Sequence, residues 1–318
     1  MSVYTMLSAA DIQSFLDGYS LPPLGSYAPI KGGIENSNYF VTLVDGHELV
    51  LTLFEELSAG EADFLGPLLD HLEAAGVPVA TPLKNRQGRY LGPLRNKPAQ
   101  LAKRLPGRHP EQPGLSECRS MGTTLAHLHV ALEGYPLVRA NAHGAAWWEE
   151  LARQWQPRLP KDEATLLQRL LQRHADACEQ HPDLPQGLIH GDLFRDNTLF
   201  TGDSVTAVLD FSETGRDHLL LDIAITVNDF CRQWPSPEPD PRRREAFLEG
   251  YETARTLTSG ERMALPVFLA TAAMRFWLSR LEIGARNRAQ QREGEHILQK
   301  DPGEMRALAE ALLDSAAP

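Results

Sequence analysis

Three polar residues in a fixed order stand out in the second half of the chain. Asp192 is followed, after four residues, by Asn197 and, after twelve more, by Asp210. An ionised carboxylate beside a hydroxyl can orient that hydroxyl and take its proton. An amide oxygen and a second carboxylate supply the hard oxygen ligands that Mg²⁺ prefers. Together these residue types can position a nucleophile and a divalent cation, which is what phosphoryl transfer requires of a protein.

The residues between Asn197 and Asp210 predict a β-hairpin that would hold this set together. Two short apolar runs, 197–200 and 205–209, flank a turn with the sequence Thr-Gly-Asp-Ser. Gly-Asp is a turn signal, and the runs are rich in β-branched and aliphatic side chains. Taken singly, the polar residues also fit a solvated β-turn. Their order and their placement around a hairpin favour a site.

The chain resembles a known superfamily in this region. The stretch IHGDLFRDN at 189–197, followed by LDFSETG at 209–215, is similar to the aminoglycoside phosphotransferase and choline kinase superfamily, whose fold is similar to that of protein kinases. GGIENSNYFV near the N-terminus, VLTLFE after it and RFWLSRLE near the C-terminus resemble, more narrowly, the bacterial homoserine kinases of this superfamily.

This resemblance implies an α/β (α+β) protein with a bilobal protein-kinase-like fold. The small lobe, residues 1–104, would carry an antiparallel sheet that binds ATP, and the larger lobe, residues 105–318, would be mostly helical. The resemblance implies that Asp192 is the catalytic base and that Asn197 and Asp210 bind Mg²⁺. His190 and Asp222 would brace the loop that carries Asp192.

A glycine-rich segment near the N-terminus is a candidate phosphate-binding loop. It lies at 31–38 between predicted strands at 27–30 and 39–44. Glycines allow backbone N–H groups to approach a phosphate, although any glycine hairpin has the same composition. By resemblance, five residues of the segment would cover the nucleotide: Gly32, Gly33, Asn36, Ser37 and Asn38.

The chain departs from the kinase pattern on the next strand, predicted at 48–54. Kinases carry a lysine there for the α- and β-phosphates. That lysine would fall at or near Thr52, and it is absent. Either another cation substitutes, with Lys31, Lys97 and Lys103 as candidates, or Mg²⁺ and backbone donors carry more of the phosphate charge.

Two arginines in an apolar helix predicted at 265–283 are candidates for substrate binding. A guanidinium can clamp a carboxylate through two parallel hydrogen bonds, so Arg275 and Arg280 would suit an amino-acid substrate. An exposed or core-bridging arginine is the alternative. The resemblance points to L-homoserine as that substrate, with O-phospho-L-homoserine for threonine biosynthesis as the product.

Two other functions stay open. Choline, ethanolamine or another small hydroxylated metabolite could be the acceptor, and a quaternary ammonium would favour an aromatic cage to which Trp277 could contribute. The absent lysine also raises the possibility of a non-catalytic nucleotide-binding pseudokinase. The intact set of Asp192, Asn197 and Asp210 argues against that possibility.

Composition narrows the class of protein. The 318 residues include 31 basic and 42 acidic ones, which gives a formal net charge of −11 and argues against nucleic-acid or anionic-membrane partners. The three cysteines form no CxxC pair, and the N-terminal residues lack the basic and apolar regions of a signal peptide. No window of 18 apolar residues suggests a membrane span. A cytoplasmic protein of unspecified oligomeric state is expected.

Helical periodicity organises the remainder. Helices are predicted at 61–75, 116–132, 166–178, 242–251, 265–283 and 302–313, and the run from Gly215 is expected to open another helix that continues to Phe230. His127 and His129 lie two apart in the second of these helices. Residues two apart on a helix point in different directions, so a metal pair is not expected there.

Overall fold

The fold is that of a computed structural model, which describes residues 5–30, 36–137, 139–233, 236, 238–289 and 300–315. The chain divides into two compact units, and the boundary lies between Pro106 and Gly107. Residues 287–289 at the end of a long helix are grouped with the first unit, and residues 300–315 with the second. No helix in the described ranges combines the length and the apolarity needed to cross a membrane.

The first unit is built on a five-stranded antiparallel sheet. Its elements are α1 (Ala9–Leu16), β1 (Leu24–Pro29), β2 (Asn36–Leu43), β3 (Glu48–Phe54), α2 (Ala59–Ala62), α3 (Leu65–Ala74), β4 (Gly92–Leu94) and β5 (Lys97–Lys103). The strand order is β1-β2-β3-β5-β4. The single helix predicted at 61–75 is divided, because α2 ends at Ala62 and α3 begins at Leu65.

One face of this sheet forms the core of the first unit. Tyr39, Leu51 and Leu101 are 0% exposed and cluster with Ile12 and Phe15 of α1. Successive side chains of a strand point to opposite faces, so the odd-numbered residues of β2, β3 and β5 build this core. The even-numbered residues therefore belong to the other face, where several side chains are only partly buried.

The second unit is mostly helical. Its helices are α4 (Leu115–Ala131), α5 (Ala145–Trp155), α6 (Lys161–Gln180), α7 (Leu219–Phe230), α8 (Pro241–Tyr251), α9 (Ser259–Ala289) and α10 (Pro302–Ser315). Its strands are β6 (Gln186–Ile189), β7 (Thr198–Thr201), β8 (Ser204–Val208) and β9 (Gly215–His218). β7 and β8 form the predicted hairpin, with Thr201 paired to Ser204 across the turn.

The expectation that Gly215 opens a helix is wrong. Residues 215–218 form β9, which pairs antiparallel with β6 from Ile189–Gly215 to Gln186–His218, and α7 begins only at Leu219. A Cβ at position 215 would lie 2.7 Å from the Asn141 Cα, so only glycine fits where the segment that contains Asn141 passes β9. Tertiary pairing, which local periodicity does not report, decides this element.

Candidate active site

Two loops lie side by side because the strands that carry them pair in two ribbons. The upstream loop, residues 190–197, connects β6 to β7, and the downstream loop, residues 209–214, connects β8 to β9. β6 pairs with β9 and β7 pairs with β8. The strands at the two ends of the upstream loop are therefore paired with the strands at the two ends of the downstream loop. Gly191 has a φ of 82°, and a Cβ there would lie 3.0 Å from the Glu213 carbonyl oxygen. Glycine thus permits the close approach of the loops.

Asp192 and Asn197 are in direct contact within the upstream loop. The Asn197 Nδ2 group donates to the backbone carbonyl of Asp192 at 2.8 Å and to its carboxylate at 3.0 Å. The loop is anchored from below by Arg195, whose backbone N–H and Nε group donate to the Asp229 carboxylate at 2.7 and 3.0 Å. The Asp192 carboxylate is therefore held in one orientation before any substrate binds.

Asp210 opens the downstream loop in a strained conformation. Its φ is 57°, in the left-handed region that side chains other than glycine rarely adopt. The Ser212 hydroxyl donates to Asp210 Oδ1 at 2.6 Å and helps to hold it there. The preceding residue, Leu209, donates its N–H to the Asn197 carbonyl at 2.9 Å. The fold thus brings all three residues of the predicted set to adjoining positions.

The donor set fits a divalent cation. Asn197 uses its amide N–H₂ group toward Asp192, which keeps its side-chain oxygen as an acceptor. Asp210 shares one carboxylate oxygen with Ser212, and its second oxygen supplies another acceptor. An amide oxygen and a carboxylate oxygen are hard ligands of the kind that Mg²⁺ binds beside phosphate.

His190 joins the two loops from beneath. It is fully buried, its Nδ1 accepts the Asp192 N–H at 3.2 Å, and its Nε2 donates to the Leu209 carbonyl at 2.9 Å. Burial lowers the pKa of His190, and this agrees with a neutral ring protonated on Nε2. With both ring nitrogens engaged, these contacts are those of a brace.

Asp222, at the start of α7, ties the upstream loop to the helical core. Its fully buried carboxylate accepts the N–H groups of His190 and Gly191 at 2.7 and 2.9 Å and the His129 Nε2–H at 3.0 Å. Burial raises the pKa of Asp222, but the His129 hydrogen bond and charge outweigh burial and hold the pKa below its usual value. A buried carboxylate with this many donors stays ionised.

His129 is a supporting residue that the sequence analysis missed. It is 4% exposed, and its second ring nitrogen lies 2.7 Å from the Tyr251 hydroxyl. Its neighbour two positions earlier, His127, is exposed. The signal was its spacing, because His129 lies four residues after Leu125 on the apolar stripe of α4 and therefore faces the core.

Arg275 connects the two loops from α9. Its Nη1 donates to the Gly191 carbonyl at 2.7 Å and its Nη2 to the Glu213 carboxylate at 3.2 Å. His143 also donates to Glu213, and Arg139 donates to the carbonyls of Ser212 and Thr214 at 2.8 and 2.5 Å. Burial raises the pKa of Glu213, but the His143 hydrogen bond and the two guanidinium charges outweigh it and lower the pKa.

The residues predicted to bind substrate are placed differently from the expectation. Arg275 is 3% exposed and bonded to the protein. Arg280 is buried, and its Nη1 donates to the Asp301 carbonyl at 2.7 Å and to Glu304 at 2.8 Å, which ties α9 to α10. Trp277 is 1% exposed and belongs to the core, so its ring is inaccessible to a ligand. The geometry therefore argues against the Arg275–Arg280 clamp and against a Trp277 cage.

The residues predicted to bind nucleotide fall into three groups. Gly32 and Gly33, like Lys31, lie outside the described residues. Asn36 and Ser37 are buried, and the Ser37 hydroxyl donates to Glu55. Asn38 lies on the partly exposed face of the sheet, where its Oδ1 accepts the Thr52 hydroxyl at 2.8 Å.

The strand register separates two of the candidate lysines from Thr52. Thr52 pairs with Gln100 and Leu53 with Ala99, so Lys97 and Lys103 share the core side of β5 with Ala99 and Leu101. Lys97 also forms an ion pair with Glu55, whose side chain is 7% exposed. The geometry therefore argues against either lysine as a replacement at the position of Thr52.

Comparisons with known proteins agree with this architecture. Two solved kinases share the fold: the amicoumacin kinase hAmiN in complex with AMP-PNP, Ca²⁺ and Ami (TM-score 0.70, 18% identity, 98% of this chain and 94% of that one) and a microcompartment-associated aminopropanol kinase (TM-score 0.67, 20% identity, 97% and 98%).

Sequence relatives are more similar. The homoserine kinase of Pseudomonas aeruginosa is 40% identical over 304 residues, which cover 96% of this chain and 94% of the relative. The homoserine kinase of Methylobacillus flagellatus is 42% identical over 281 residues, or 88% and 87% of the two chains. The profile described as "Phosphotransferase enzyme family" matches residues 26–260. The chain therefore belongs to the phosphotransferase enzyme family.

Proposed function

We propose that this protein is a homoserine kinase, which transfers the γ-phosphoryl group of ATP to the hydroxyl of L-homoserine and releases O-phospho-L-homoserine and ADP. The observation that carries the proposal is 40% identity to a homoserine kinase over 96% of the chain. Two contacts support the same chemistry. The Asn197 side chain bonds to the Asp192 carboxylate, and the Asn197 carbonyl accepts the N–H of Leu209, the residue before Asp210. This activity would be a step of threonine biosynthesis in the cytoplasm.

Asp192 is the group that would act on the substrate hydroxyl. The hydroxyl oxygen forms a bond to the γ-phosphorus, the bond from that phosphorus to the β,γ-bridging oxygen breaks, and the hydroxyl proton passes to the Asp192 carboxylate. Asn197 holds this carboxylate through its Nδ2 group. Asp222 and His190 fix the backbone on either side of Gly191, so the base is positioned before substrate arrives.

Asn197 and Asp210 are the residues that would hold a divalent cation, with Mg²⁺ as the proposed ion. The bound cation would neutralise phosphate charge. The Asp210 backbone adopts a strained left-handed conformation, and the Ser212 hydroxyl holds one of its carboxylate oxygens. Strain that persists at one acidic residue, beside a matching amide, is typical of a functional position.

An ADP-release assay with Mg²⁺ and ATP tests the proposal. The acceptor panel contains L-homoserine, choline and ethanolamine, and we expect turnover with L-homoserine at a rate far above the other two. Turnover with only an amino alcohol would overturn the substrate, and absence of turnover with every acceptor would overturn the kinase proposal. Asp203→Asn is the matched control for substitutions at Asp192, because Asp203 is an exposed carboxylate in the turn of the same hairpin.

A further inference from the structure

The face of the first unit's sheet that points away from α1 carries two ordered rows of side chains. The pairings Asn38–Thr52 and Thr52–Gln100 align three polar residues across β2, β3 and β5. We call these three residues the polar row. The neighbouring pairings Phe40–Val50 and Val50–Ala102 align an apolar row beside it.

This face is less completely covered than the opposite one. Each residue of the polar row is only partly buried, whereas Tyr39, Leu51 and Leu101 on the other face are 0% exposed. A guanidinium partly covers the apolar row, because Arg104 lies 4.1 Å from the centre of the Phe40 ring and pairs with Glu48 at 2.9 Å. Beside the polar row, Val50 is partly exposed, whereas Ala102 is buried.

The hydrogen bonds of the polar row are incomplete within the described part of the chain. The Thr52 hydroxyl donates to Asn38 Oδ1 at 2.8 Å, which leaves the Asn38 amide N–H₂ group as a donor. The Gln100 Oε1 atom is buried and has no hydrogen-bond partner among the described residues. A buried acceptor without a donor costs free energy, and a bound ligand that supplies the donor removes that cost.

The polar row itself contains no charge. Its three side chains are two amides and a hydroxyl, and the alternation of β5 puts Lys97 and Lys103 on the opposite face. Lys97 also forms an ion pair with Glu55. Burial raises the pKa of Glu55, but its hydrogen bonds from Lys97 and Ser37 outweigh burial and lower the pKa. The position at which protein kinases place a phosphate-binding lysine is thus occupied here by neutral hydrogen-bonding groups.

We infer that Asn38, Thr52 and Gln100 bind the ribose–phosphate part of the nucleotide through neutral hydrogen bonds, in place of the lysine. The Asn38 amide donates to a phosphate oxygen, and the Gln100 carbonyl accepts a ribose hydroxyl. Thr52 orients Asn38 by fixing its amide. The inference rests on the proposed kinase function, because that function supplies the nucleotide.

Neutral contacts have a consequence that a lysine would not have. Hydrogen bonds from amides orient a phosphate but do not balance its charge. The free energy of nucleotide binding must then depend strongly on the divalent cation, and metal-free ADP should bind weakly. Introduction of a lysine by Thr52→Lys should raise the affinity for metal-free ADP, because the new ammonium lies beside the phosphate.

The test is calorimetric titration of ADP, with and without Mg²⁺, into the full-length protein. We expect Thr52→Val and Gln100→Leu each to raise Kd by about tenfold, the scale of one lost hydrogen bond to a charged ligand. Thr52→Ser keeps the hydroxyl and should bind as the wild type does. Thr42→Val is the matched control, because Thr42 lies on the same face of β2 but pairs with Glu48, outside both rows.

The results separate this inference from the proposed function. If Thr52→Val and Gln100→Leu bind ADP as tightly as Thr42→Val, the polar row does not contact the nucleotide, although turnover of L-homoserine by the wild type would still support the kinase. If Thr52→Lys lowers the affinity for metal-free ADP, the polar row does not face the phosphate. A wild type that binds no ADP at all contradicts the kinase function itself. Melting temperatures identify any variant that loses affinity by unfolding.

Discussion

The two loops of the second unit and the polar row of the first unit differ in the kind of polar group that they contain. The loops are braced by buried ionisable groups: Asp222 accepts from three donors, and the Nη1 and Nη2 groups of Arg275 donate to one loop each, although its Nε group has no partner among the described residues. The polar row is neutral and leaves the Gln100 Oε1 atom without a partner among the described residues. Groups that must react are fixed in advance, whereas groups that must bind keep hydrogen bonds for the ligand to complete.

The difference has an energetic basis. A buried charge is tolerated only when its partners remain, and loss of one partner typically costs about 3–5 kcal/mol of stability. A neutral amide or hydroxyl costs about 1–3 kcal/mol when it is left unpaired. Substitutions in the loops should therefore have larger effects than substitutions in the polar row, and the row should respond in binding more than in stability.

The largest effect is expected for Asp192→Asn. The substitution keeps the shape of the side chain but removes its ability to take a proton, so kcat with L-homoserine should fall by about 10²–10⁴-fold. Binding of ADP with Mg²⁺ should change little, which calorimetric titration can check. The matched variant Asp203→Asn should keep the wild-type rate. A rate for Asp192→Asn within a factor of a few of the wild type would remove Asp192 from the reaction.

Arg275→Met tests whether the guanidinium braces the loops or binds substrate. Methionine leaves the Gly191 carbonyl unpaired and removes one cation from buried Glu213, so we expect a loss of about 3 kcal/mol in the free energy of unfolding together with a lower kcat. Arg275→Lys should be intermediate, because an ammonium lacks the planar fork that reaches both acceptors. Urea unfolding and steady-state kinetics measure the two effects.

The clamp expected from the sequence makes the opposite prediction for this residue. If Arg275 bound the carboxylate of homoserine, Arg275→Met would raise KM for homoserine and leave the free energy of unfolding unchanged. Arg153→Met is the control for the loss of an arginine, because Arg153 is largely exposed and pairs with Glu150 one turn earlier on α5. Its unfolding free energy should stay within about 0.5 kcal/mol of the wild type.

The sequence was informative where function depends on local order. The spacing of Asp192, Asn197 and Asp210 and the Gly-Asp turn predicted the hairpin, because turn chemistry and alternation are local properties. The strand at 215–218 was missed because its pairing with β6 depends on residues about thirty positions away. Local patterns likewise do not report that Arg275 reaches Gly191, since a buried arginine and a substrate-binding arginine look the same in an apolar helix.

Register is the property that separated the lysine candidates. From the sequence, Lys31, Lys97 and Lys103 were equal candidates to replace the lysine absent near Thr52, because the sequence shows only that each lies within about fifty residues of it. The pairing of Thr52 with Gln100 puts both β5 lysines on the core side, and this follows from a single step of alternation. Which side of a sheet a residue occupies can be read from a strand pattern only once the register is known.

A partly buried histidine in the second unit provides a third point of comparison. His174 lies among Trp148, Phe268 and Cys178, with Thr271 Oγ1 3.4 Å from its Nδ1. Burial, and then the charge of His218, lowers the pKa of His174 to about 4, although Asp217 acts in the opposite direction. Unlike Asp222, this residue is held in its uncharged form.

The pH dependence of stability should reveal this group. The pKa of His174 is about 4 in the folded protein and close to 6.5 in the unfolded chain, so between these values only the unfolded state takes up the proton. The free energy of unfolding should therefore be highest above about pH 6.5 and fall as the pH decreases to about 4, by up to about 3 kcal/mol from this residue. Urea unfolding at several pH values across this window measures the loss.

His174→Phe should reduce that slope, because phenylalanine keeps a ring against Trp148 and Phe268 and has no proton to bind. A residual slope should remain, since burial also lowers the pKa of His190. His127→Phe, at an exposed position of α4, is the control and should follow the wild type. A wild-type slope in His174→Phe would mean that His174 accepts a proton in the folded state as easily as in the unfolded one. Its surroundings would then resemble the open polar row more than the closed core.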